Sequence, residues 1–288
     1  MSGFDRLLIF VFIFAAIAAG GYWSRPSEFQ PGQGRRPVPQ TSPSPPAVPN
    51  NPDRVRRPPV APLSPSDPTF VVEGSERPIN KTGTAFSLDA RGTWFTARHV
   101  IAGCARLFLD STWGRIPATV LDAHPSADLA ILSSGRGGPA LALNDMAPEY
   151  GEDGTALGFP GGKLGGEWGQ LLGRARMLSR GGINGVTPTL AWAELRRVPE
   201  ELESLGGLSG GPMFDDTGAV VGVMVAESQR RGRVYTTAPE LLHAAIVDLP
   251  AATRTRFRPV VNEPDALALN AQRAAQDQRI ARVVCFAT

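Results

Sequence analysis

The chain has 288 residues, of which 42% are hydrophobic, so it has room for one substantial folded domain and additional segments. Its 32 glycines and 27 prolines are typical of a turn-rich β protein that also has an unfolded stretch. A net charge of +2 is too small to indicate a nucleic-acid partner, and the three histidines and two cysteines show no metal-ligand spacing. We therefore expect no nucleic-acid partner, no metal and no cofactor, and the composition indicates no particular oligomeric state.

The first segment is a continuous apolar run, Leu7 to Tyr22, which lies at the short limit for a membrane span. The aromatic pair Tyr22 and Trp23 at its far end is typical of a membrane interface. Ala16-Ile17-Ala18 has a small-x-small pattern, so a cleaved signal peptide is the alternative. Residues 1–24 are thus predicted to be a transmembrane anchor, which we favour, or a signal peptide. Either one exports the rest of the chain.

Residues 25–68 hold about half of all the prolines and almost no large apolar side chains. Such a segment cannot bury a core, and we expect an extended linker that holds the next domain away from the bilayer. An anchor and a Pro-rich linker before a small domain are also typical of TonB-like transducers. A structural or transducing protein of that kind is the alternative from another functional class. Such a protein has no need of His99, Asp128 and Ser209, which occur in this order farther along the chain.

The next stretch predicts a β-hairpin with strands at Gly83–Leu88 and Thr93–Val100, joined by a turn at Asp89–Gly92. The hairpin places His99 at the end of its second strand, where the chain turns. A histidine in this position is a candidate acid–base group, although many such residues are only structural.

A carboxylate with a special environment follows. Asp128 directly precedes the apolar strand Leu129–Leu132, and an acid that leads into a core strand is costly to bury unless it is hydrogen-bonded. Asp122, at the end of an earlier strand, is the rival acid, but no such apolar strand follows it. We therefore rank Asp128 above Asp122.

The most informative segment is Gly206-Gly207-Leu208-Ser209-Gly210-Gly211-Pro212, which precedes the apolar strand Gly218–Val225. A serine hydroxyl is a poor nucleophile unless the backbone presents it and aims donors at the oxyanion that it creates. Glycines permit the tight, strained path that such a presentation needs. An ordinary turn serine is the simpler interpretation, but His99 and Asp128 upstream favour a nucleophile.

In combination, four segments resemble the chymotrypsin-like (trypsin-fold) serine proteases, and most closely the bacterial HtrA-type subgroup. They are Thr96-Ala97-Arg98-His99-Val100, Ala127-Asp128-Leu129-Ala130-Ile131-Leu132, Ala156-Leu157-Gly158-Phe159-Pro160-Gly161 and Gly207-Leu208-Ser209-Gly210-Gly211-Pro212. The resemblance covers roughly residues 70 to 248. About forty residues follow, too few for the PDZ domain that HtrA-type enzymes usually carry, so we expect none here.

The resemblance implies a role for each matching residue. Ser209 would attack the scissile carbonyl, His99 would take and return its proton, and Asp128 would orient the imidazole. The backbone N–H groups of Gly207 and Ser209 would form the oxyanion hole. Leu208 stands where trypsin-like enzymes usually have an aspartate that pairs with a freed N-terminus, so we do not expect activation by cleavage.

The resemblance also implies protein or peptide substrates, bound beside the strand that follows the nucleophile. Its substrate-binding positions here are Val225, Ala226 and Glu227, with Tyr235 alongside, and we expect a modest apolar or small P1 pocket. For a bacterial protein of this type, the anchor would be a single pass in the inner membrane with the protease domain on the periplasmic side. The domain would be secreted if the segment is cleaved. A catalytically inactive protease-fold binding module remains an alternative.

The implied fold is all-β, with two barrels and the active site between them. Residues 69–248 would be the protease domain, with barrel one at about 69–145 and barrel two at about 146–248. Residues 249–288 would be a tail with an amphipathic helix over Pro264–Arg282, followed by a β-like segment. We expect this tail to pack on the outside of the barrels.

The two cysteines, Cys104 and Cys285, form an even, minimal set in an exported chain, which favours a disulfide between them. Such a bridge would tie the tail beside the segment that carries His99. Two separate buried thiols are the alternative, because free cysteine behaves as a small apolar residue.

Overall fold

A computed structural model of the protein describes residues 57–74, 77, 79–181, 183–259 and 265–287. The predicted anchor at residues 1–24 and most of the linker at 25–68 lie outside the described residues. Within the described part of the chain, no helix has the length and apolar character needed to cross a membrane.

The described chain is mostly β, as predicted. The strands are β1 Thr69–Glu73, β2 Lys81–Ser87, β3 Thr93–Thr96, β4 Cys104–Ser111, β5 Gly114–Ala123, β6 Ala130–Ser133, β7 Ala140–Leu141, β8 Asp153–Gly158, β9 Gly165–Arg180, β10 Gly185–Val198, β11 Pro212–Phe214, β12 Val220–Ser228, β13 Arg233–Thr237, β14 Arg254–Thr255 and β15 Ile280–Ala287. The α-helices are α1 Arg98–Ile101, α2 Pro239–Ala245 and α3 Ala266–Gln276, and short 3-10 helices span Pro160–Gly162 and Gln229–Arg231.

The first barrel closes through six strands in the order β15-β2-β3-β6-β5-β4. Its core is apolar and aromatic, with Phe86 of β2 and Phe95 of β3 fully buried and their ring centroids 5.5 Å apart. The turn between β2 and β3 is fixed by Asp89, whose carboxylate accepts hydrogen bonds from the backbone N–H and the hydroxyl of Thr93. The predicted hairpin is therefore present, but β3 ends before α1, so His99 lies on a short helix rather than at a strand end.

Barrel one differs from its predicted range of residues 69–145 at both ends. β1 is not part of it, because this strand pairs in parallel with β9 of the second sheet. The tail contributes instead: β15 pairs antiparallel with both β2 and β4. The expectation that the tail packs outside the barrels is wrong for this strand. Without β15, the facing edges of β2 and β4 would expose unpaired backbone groups.

The tail helix is shorter than the predicted span of 264–282. α3 ends at Gln276, and Gln278 just beyond it has φ +59°, a left-handed conformation that stops a right-handed helix. The chain then enters β15, where Val283 and Cys285 face the barrel core. Cys285 forms the predicted disulfide with Cys104 at the start of β4, with a Cα–Cα distance of 5.3 Å. The bridge closes a sequence separation of 181 residues.

The second barrel is built from a seven-stranded sheet in the order β1-β9-β10-β13-β12-β11-β8. An additional pairing of β8 with β9 closes six of these strands on themselves, and β1 is added outside the ring along the second half of β9. β9 and β10 form a long hairpin whose turn faces barrel one, where Gly185 approaches the carbonyl of Ser126. The loop that carries Ser209 leads into β11 of this barrel.

Candidate active site

His99 and Asp128 are joined by two contacts in barrel one. Nδ1 of His99 lies 2.6 Å from Oδ2 of Asp128, and the backbone N–H of His99 donates to Oδ1 at 2.8 Å. The Asp128 side chain is buried, whereas that of His99 is 39% exposed and faces the cleft. One carboxylate therefore fixes both the ring and the backbone of the histidine. The rival Asp122 is exposed on β5.

Two residues that the sequence analysis missed support this pair. Thr187 of β10 accepts a hydrogen bond at its hydroxyl from the backbone N–H of Asp128, at 2.9 Å across the barrels. Lys81 of β2 donates from Nζ to the carbonyls of His99 and Ala102, both at 2.9 Å, at the end of α1. A cation there interacts favourably with the helix carbonyls. Lys81 is one of only two lysines in the chain, but its contact with α1 has no local sequence signal.

The electrostatics of the pair favour a charged imidazole. Burial acts to lower the pKa of His99, but the charge of Asp128 and its hydrogen bond outweigh burial and raise that pKa above the ordinary value of 6.5. The positive charge of Lys81 acts in the opposite direction on His99. Burial also lowers the pKa of Lys81, although the carboxylate of Asp128 partly opposes this.

Ser209 is half-buried in a loop of residues 204–211, called the serine loop below. Two of its glycines have backbone conformations that other residues rarely adopt: Gly207 has φ +98° and Gly210 has φ +89°. A Cβ atom at Gly207 would lie 2.4 Å from the carbonyl oxygen of Phe159, and one at Gly210 would lie 2.1 Å from that of Thr84. The glycines that the sequence analysis singled out are therefore required by close backbone contacts.

Two backbone donors of the serine loop differ from their neighbours. Among the described residues, the backbone N–H groups of Gly207 and Ser209 donate to no protein acceptor. The neighbouring groups are engaged: the N–H of Leu208 donates to Leu205 and the N–H of Gly210 donates to Met224. Two unengaged N–H groups, one of the serine itself and one two residues before it, form the kind of donor pair that stabilises an oxyanion.

The two halves of the site meet across the cleft. Gly83 lies between them, because a Cβ atom there would be 2.6 Å from the side chain of Val100 and 2.9 Å from the carbonyl of Ser209. Gly210 similarly approaches the backbone N–H of Ala97, two residues before His99. Within the described part of the chain, no hydrogen bond joins the Ser209 hydroxyl to the His99 ring. Such catalytic contacts are often loose without substrate and tighten when it binds.

A small recess of about 50 Å³ lies beside Ser209. Its walls include the side chains of Leu205, Leu208 and Met224, together with Ala226 and Glu227. The carboxylate of Glu227 is already engaged, because it accepts hydrogen bonds from the hydroxyl of Ser204 and from the backbone N–H of Leu205. The recess thus combines apolar side chains with one hydrogen-bonded carboxylate, and two of the predicted substrate-binding residues, Ala226 and Glu227, line it.

The other two predicted substrate-binding residues lie in different places. Val225 lines a larger recess of about 450 Å³, together with His99 and Asp128. Tyr235 lines neither recess: its ring stacks on Phe70 of β1, with centroids 3.9 Å apart. The sequence predicts β1 as part of barrel one, but its pairing with β9 brings Phe70 to Tyr235 in the second barrel.

Part of the chain matches a known protein family. Residues 83–223 match the family model described as Trypsin-like peptidase domain. The active form of the protease Rv3671c from M. tuberculosis is similar in structure, with a TM-score of 0.51 at 19% identity over 68% of this chain and 96% of that one. The HtrA-type protease AlgW, solved with a decapeptide, has a TM-score of 0.44 at 21% identity over 58% of this chain and 52% of that one.

One relative by sequence is the uncharacterized protein y4bJ of Sinorhizobium fredii, which is 27% identical over 170 residues. The match covers 57% of this chain and 25% of the relative, so this chain spans about a quarter of that protein's length. The family match and the two-barrel fold define the class: the chain carries a trypsin-like peptidase domain with the fold of the chymotrypsin-like serine proteases. The resemblance to the chymotrypsin-like serine proteases that the sequence motifs indicate is confirmed by the family match.

Proposed function

We propose that the protein is an exported serine endopeptidase that cleaves peptide bonds through Ser209, His99 and Asp128. The observation that carries this proposal is the meeting of two preformed parts at one cleft. One part is the His99–Asp128 pair, held at 2.6 Å, and the other is the serine loop with its unengaged Gly207 and Ser209 N–H groups. Acyl transfer needs a base, a nucleophile and an oxyanion site in this relation.

The reaction follows from the positions of these groups. Neutral His99 takes the proton of the Ser209 hydroxyl at Nε2 while Oγ attacks the scissile carbonyl, which forms a tetrahedral intermediate. Asp128 accepts the hydrogen bond of Nδ1–H and stabilises the imidazolium. The N–H groups of Gly207 and Ser209 donate to the oxyanion, each contributing on the order of 3 kcal/mol. His99 then protonates the leaving amine, and water hydrolyses the acyl-enzyme by the reverse sequence.

The recess beside Ser209 supports a preference for a small apolar side chain at P1. Its apolar walls and its volume of about 50 Å³ leave little room for a long or charged group. The carboxylate of Glu227 at the wall of this recess is held by hydrogen bonds from Ser204 and Leu205, and a long basic side chain would need more room than the recess offers. The pairing of β12 with β13 is irregular at Val225, which supports a role for this position in pairing with substrate backbone.

Location in an extracytoplasmic compartment is part of the proposal. The apolar run from Leu7 to Tyr22 supports a membrane anchor, and the disulfide between Cys104 and Cys285 is of the kind that oxidising compartments maintain. Protease treatment of intact spheroplasts tests this location. We expect the folded domain to be digested or released, and protection of the whole chain until lysis would contradict export.

A protease-fold binding module without turnover is the second candidate. The observation that favours it is the lack of a hydrogen bond between Ser209 and His99 among the described residues. Such a module would bind peptides in the same cleft without cleaving them, so binding alone does not separate the two candidates.

A peptide library analysed by mass spectrometry separates them. We expect the full chain to cleave after small apolar residues and the Ser209→Ala variant to leave every peptide intact. Asp122→Asn serves as a matched control that should retain the cleavage pattern. Cleavage by the Ser209→Ala variant at the same bonds would refute the assignment of Ser209, and peptide binding without cleavage by the wild type would favour the binding module.

A further inference from the structure

Thr84 of β2 connects barrel one to the serine loop of barrel two. Its hydroxyl donates to the carbonyl of Gly207 at 2.8 Å and accepts from the backbone N–H of Phe159 at 3.1 Å. Its backbone N–H donates to the carbonyl of Ser209 at 2.8 Å. The residue is fully buried. One side chain and one peptide group therefore contact both residues whose N–H groups form the proposed oxyanion site.

The hydroxyl occupies a space shaped for it. A Cβ atom at Gly158 would lie 2.4 Å from Oγ1 of Thr84, so only glycine there leaves room for this oxygen. The hydroxyl of Thr96 donates to the carbonyl of Thr84 at 2.8 Å, which fixes the backbone of Thr84 from the other side. Buried polar groups in native proteins are nearly always hydrogen-bonded, and this hydroxyl is the partner of two of them.

These contacts fix the orientation of the peptide groups on either side of Gly207. The carbonyl of Gly206 accepts from the N–H of Gly161 at 2.7 Å, and the carbonyl of Gly207 accepts from Thr84. Because a trans peptide group is planar, its N–H points opposite to its carbonyl. Anchoring the Gly206 carbonyl therefore turns the N–H of Gly207 away from Gly161, and anchoring the Gly207 carbonyl prevents rotation about the same residue.

We propose that Thr84 is a positioning residue for catalysis, which holds the serine loop so that the Gly207 and Ser209 N–H groups face the developing oxyanion. This inference rests on the proposed peptidase function. Thr84 does not touch the reacting atoms and acts through Gly207. The two N–H groups stabilise the oxyanion of the transition state more than the neutral carbonyl of a bound peptide. A loop that is held correctly should therefore raise kcat and have little effect on KM.

Thr84→Val tests the role of the hydroxyl, since valine has nearly the same shape and removes both hydrogen bonds. We expect kcat to fall by about 10- to 100-fold with KM changed by less than about twofold. Thr84→Ser keeps the hydroxyl and should retain most of the wild-type kcat. A fall in KM and kcat together, or equal loss in the serine and valine variants, would overturn the proposal.

Ser87→Ala is the matched control for general destabilisation. Ser87 lies on the same strand and is fully buried, and its hydroxyl donates to the carbonyl of Gly138 at 2.8 Å, away from the cleft. Both Thr84→Val and Ser87→Ala are expected to lower the melting temperature, but only Thr84→Val is expected to lower kcat. An equal loss of kcat in both variants would show a merely structural role.

Hydrogen exchange measured by mass spectrometry tests the loop without relying on activity. In the resting full chain, Thr84→Val is expected to speed exchange of the hydrogen-bonded amides of the serine loop, those of Leu208, Gly210 and Gly211, at least about tenfold relative to wild type, and Ser87→Ala is not. If the wild type hydrolyses no substrate but exchange responds, the proposed function fails, and Thr84 holds the serine loop without a catalytic role. If exchange in this segment is unchanged by Thr84→Val, the positioning role is wrong whatever the activity.

Discussion

The two halves of the site are held in place by different physical means. His99 and Asp128 are positioned by side-chain hydrogen bonds and charge, with Lys81 and Thr187 around them. Ser209 is positioned by backbone conformation, through glycines at positive φ and carbonyls anchored by neighbouring segments. The first half is therefore sensitive to changes of charge and protonation, whereas the second is sensitive to added atoms. Substitutions in the two halves should therefore impair activity in these two different ways.

The largest effect is expected for Asp128→Asn. An amide at this position cannot stabilise the imidazolium and favours the wrong tautomer of His99, so kcat should fall by about 10⁴-fold. Steady-state kinetics with a peptide substrate measures the change. Asp122→Asn is the control and should lose less than about twofold. Comparable losses in the two variants would contradict the assignment of Asp128.

Gly207→Ala tests the backbone half. The new Cβ atom would meet the carbonyl oxygen of Phe159 at 2.4 Å and would also strain a φ of +98°, so the loop must shift. Displacing one oxyanion donor should reduce kcat by about 10²- to 10³-fold. Gly232→Ala is the matched control, since φ is +56° there and no atom lies within 4 Å of the new Cβ. If both variants keep full activity, the serine loop does not depend on its glycines in this way.

The sequence predicted the parts of this site that lie within short segments. A pattern of a few adjacent residues is enough to recognise Ser209 with its glycines. The same holds for Asp128, the acid that leads into β6. The contribution of β15 to barrel one was not predictable, because the register between Cys285 and Lys81 joins positions far apart in the chain. Thr84 and Thr187 were missed for the same reason: each acts on the opposite barrel, and an isolated threonine has no pattern that indicates its partner.

Removal of the disulfide tests how firmly β15 supports the first half. The double variant Cys104→Ser/Cys285→Ser should lose up to about 4 to 5 kcal/mol of unfolding free energy, because the bridge closes a long loop of the unfolded chain. Urea unfolding measures this loss. Activity should also fall, because Cys285 pairs with Lys81 and Lys81 donates to the carbonyl of His99. This fall should be smaller than that of Gly207→Ala. Reduced wild type should match the variant, and unchanged urea resistance in both would contradict a structural bridge.

The smallest effect is expected from the charge of Lys81. Catalysis needs neutral His99, and because its pKa is raised, the acid limb of kcat/KM should have its midpoint above pH 6.5. Lys81→Met removes a positive charge that lowers the pKa of His99, so the midpoint should move to higher pH. Lys163→Met, at the only other lysine, should leave it unchanged. A midpoint that moves to lower pH in Lys81→Met would contradict this electrostatic account.

The raised pKa of His99 also makes the free energy of unfolding depend on pH. Protonated His99 is favoured in the folded state, so its contribution to the unfolding free energy is fully present below pH 6.5. That contribution is lost as the pH rises through the higher folded-state pKa. In the Asp128→Asn variant only burial and Lys81 act on this pKa, and both lower it, so the stability of the variant, measured by urea unfolding at several pH values, should no longer fall as the pH rises through this window.

The most direct test of the central claim is reaction of the full chain with a fluorophosphonate, followed by intact-mass measurement and peptide mapping. An activated serine should gain one adduct, which mapping places on Ser209. Ser209→Ala should gain none, and His99→Ala should react far more slowly because the base is lost. Equal labelling of wild type and Ser209→Ala, or an adduct on another serine, would contradict the account.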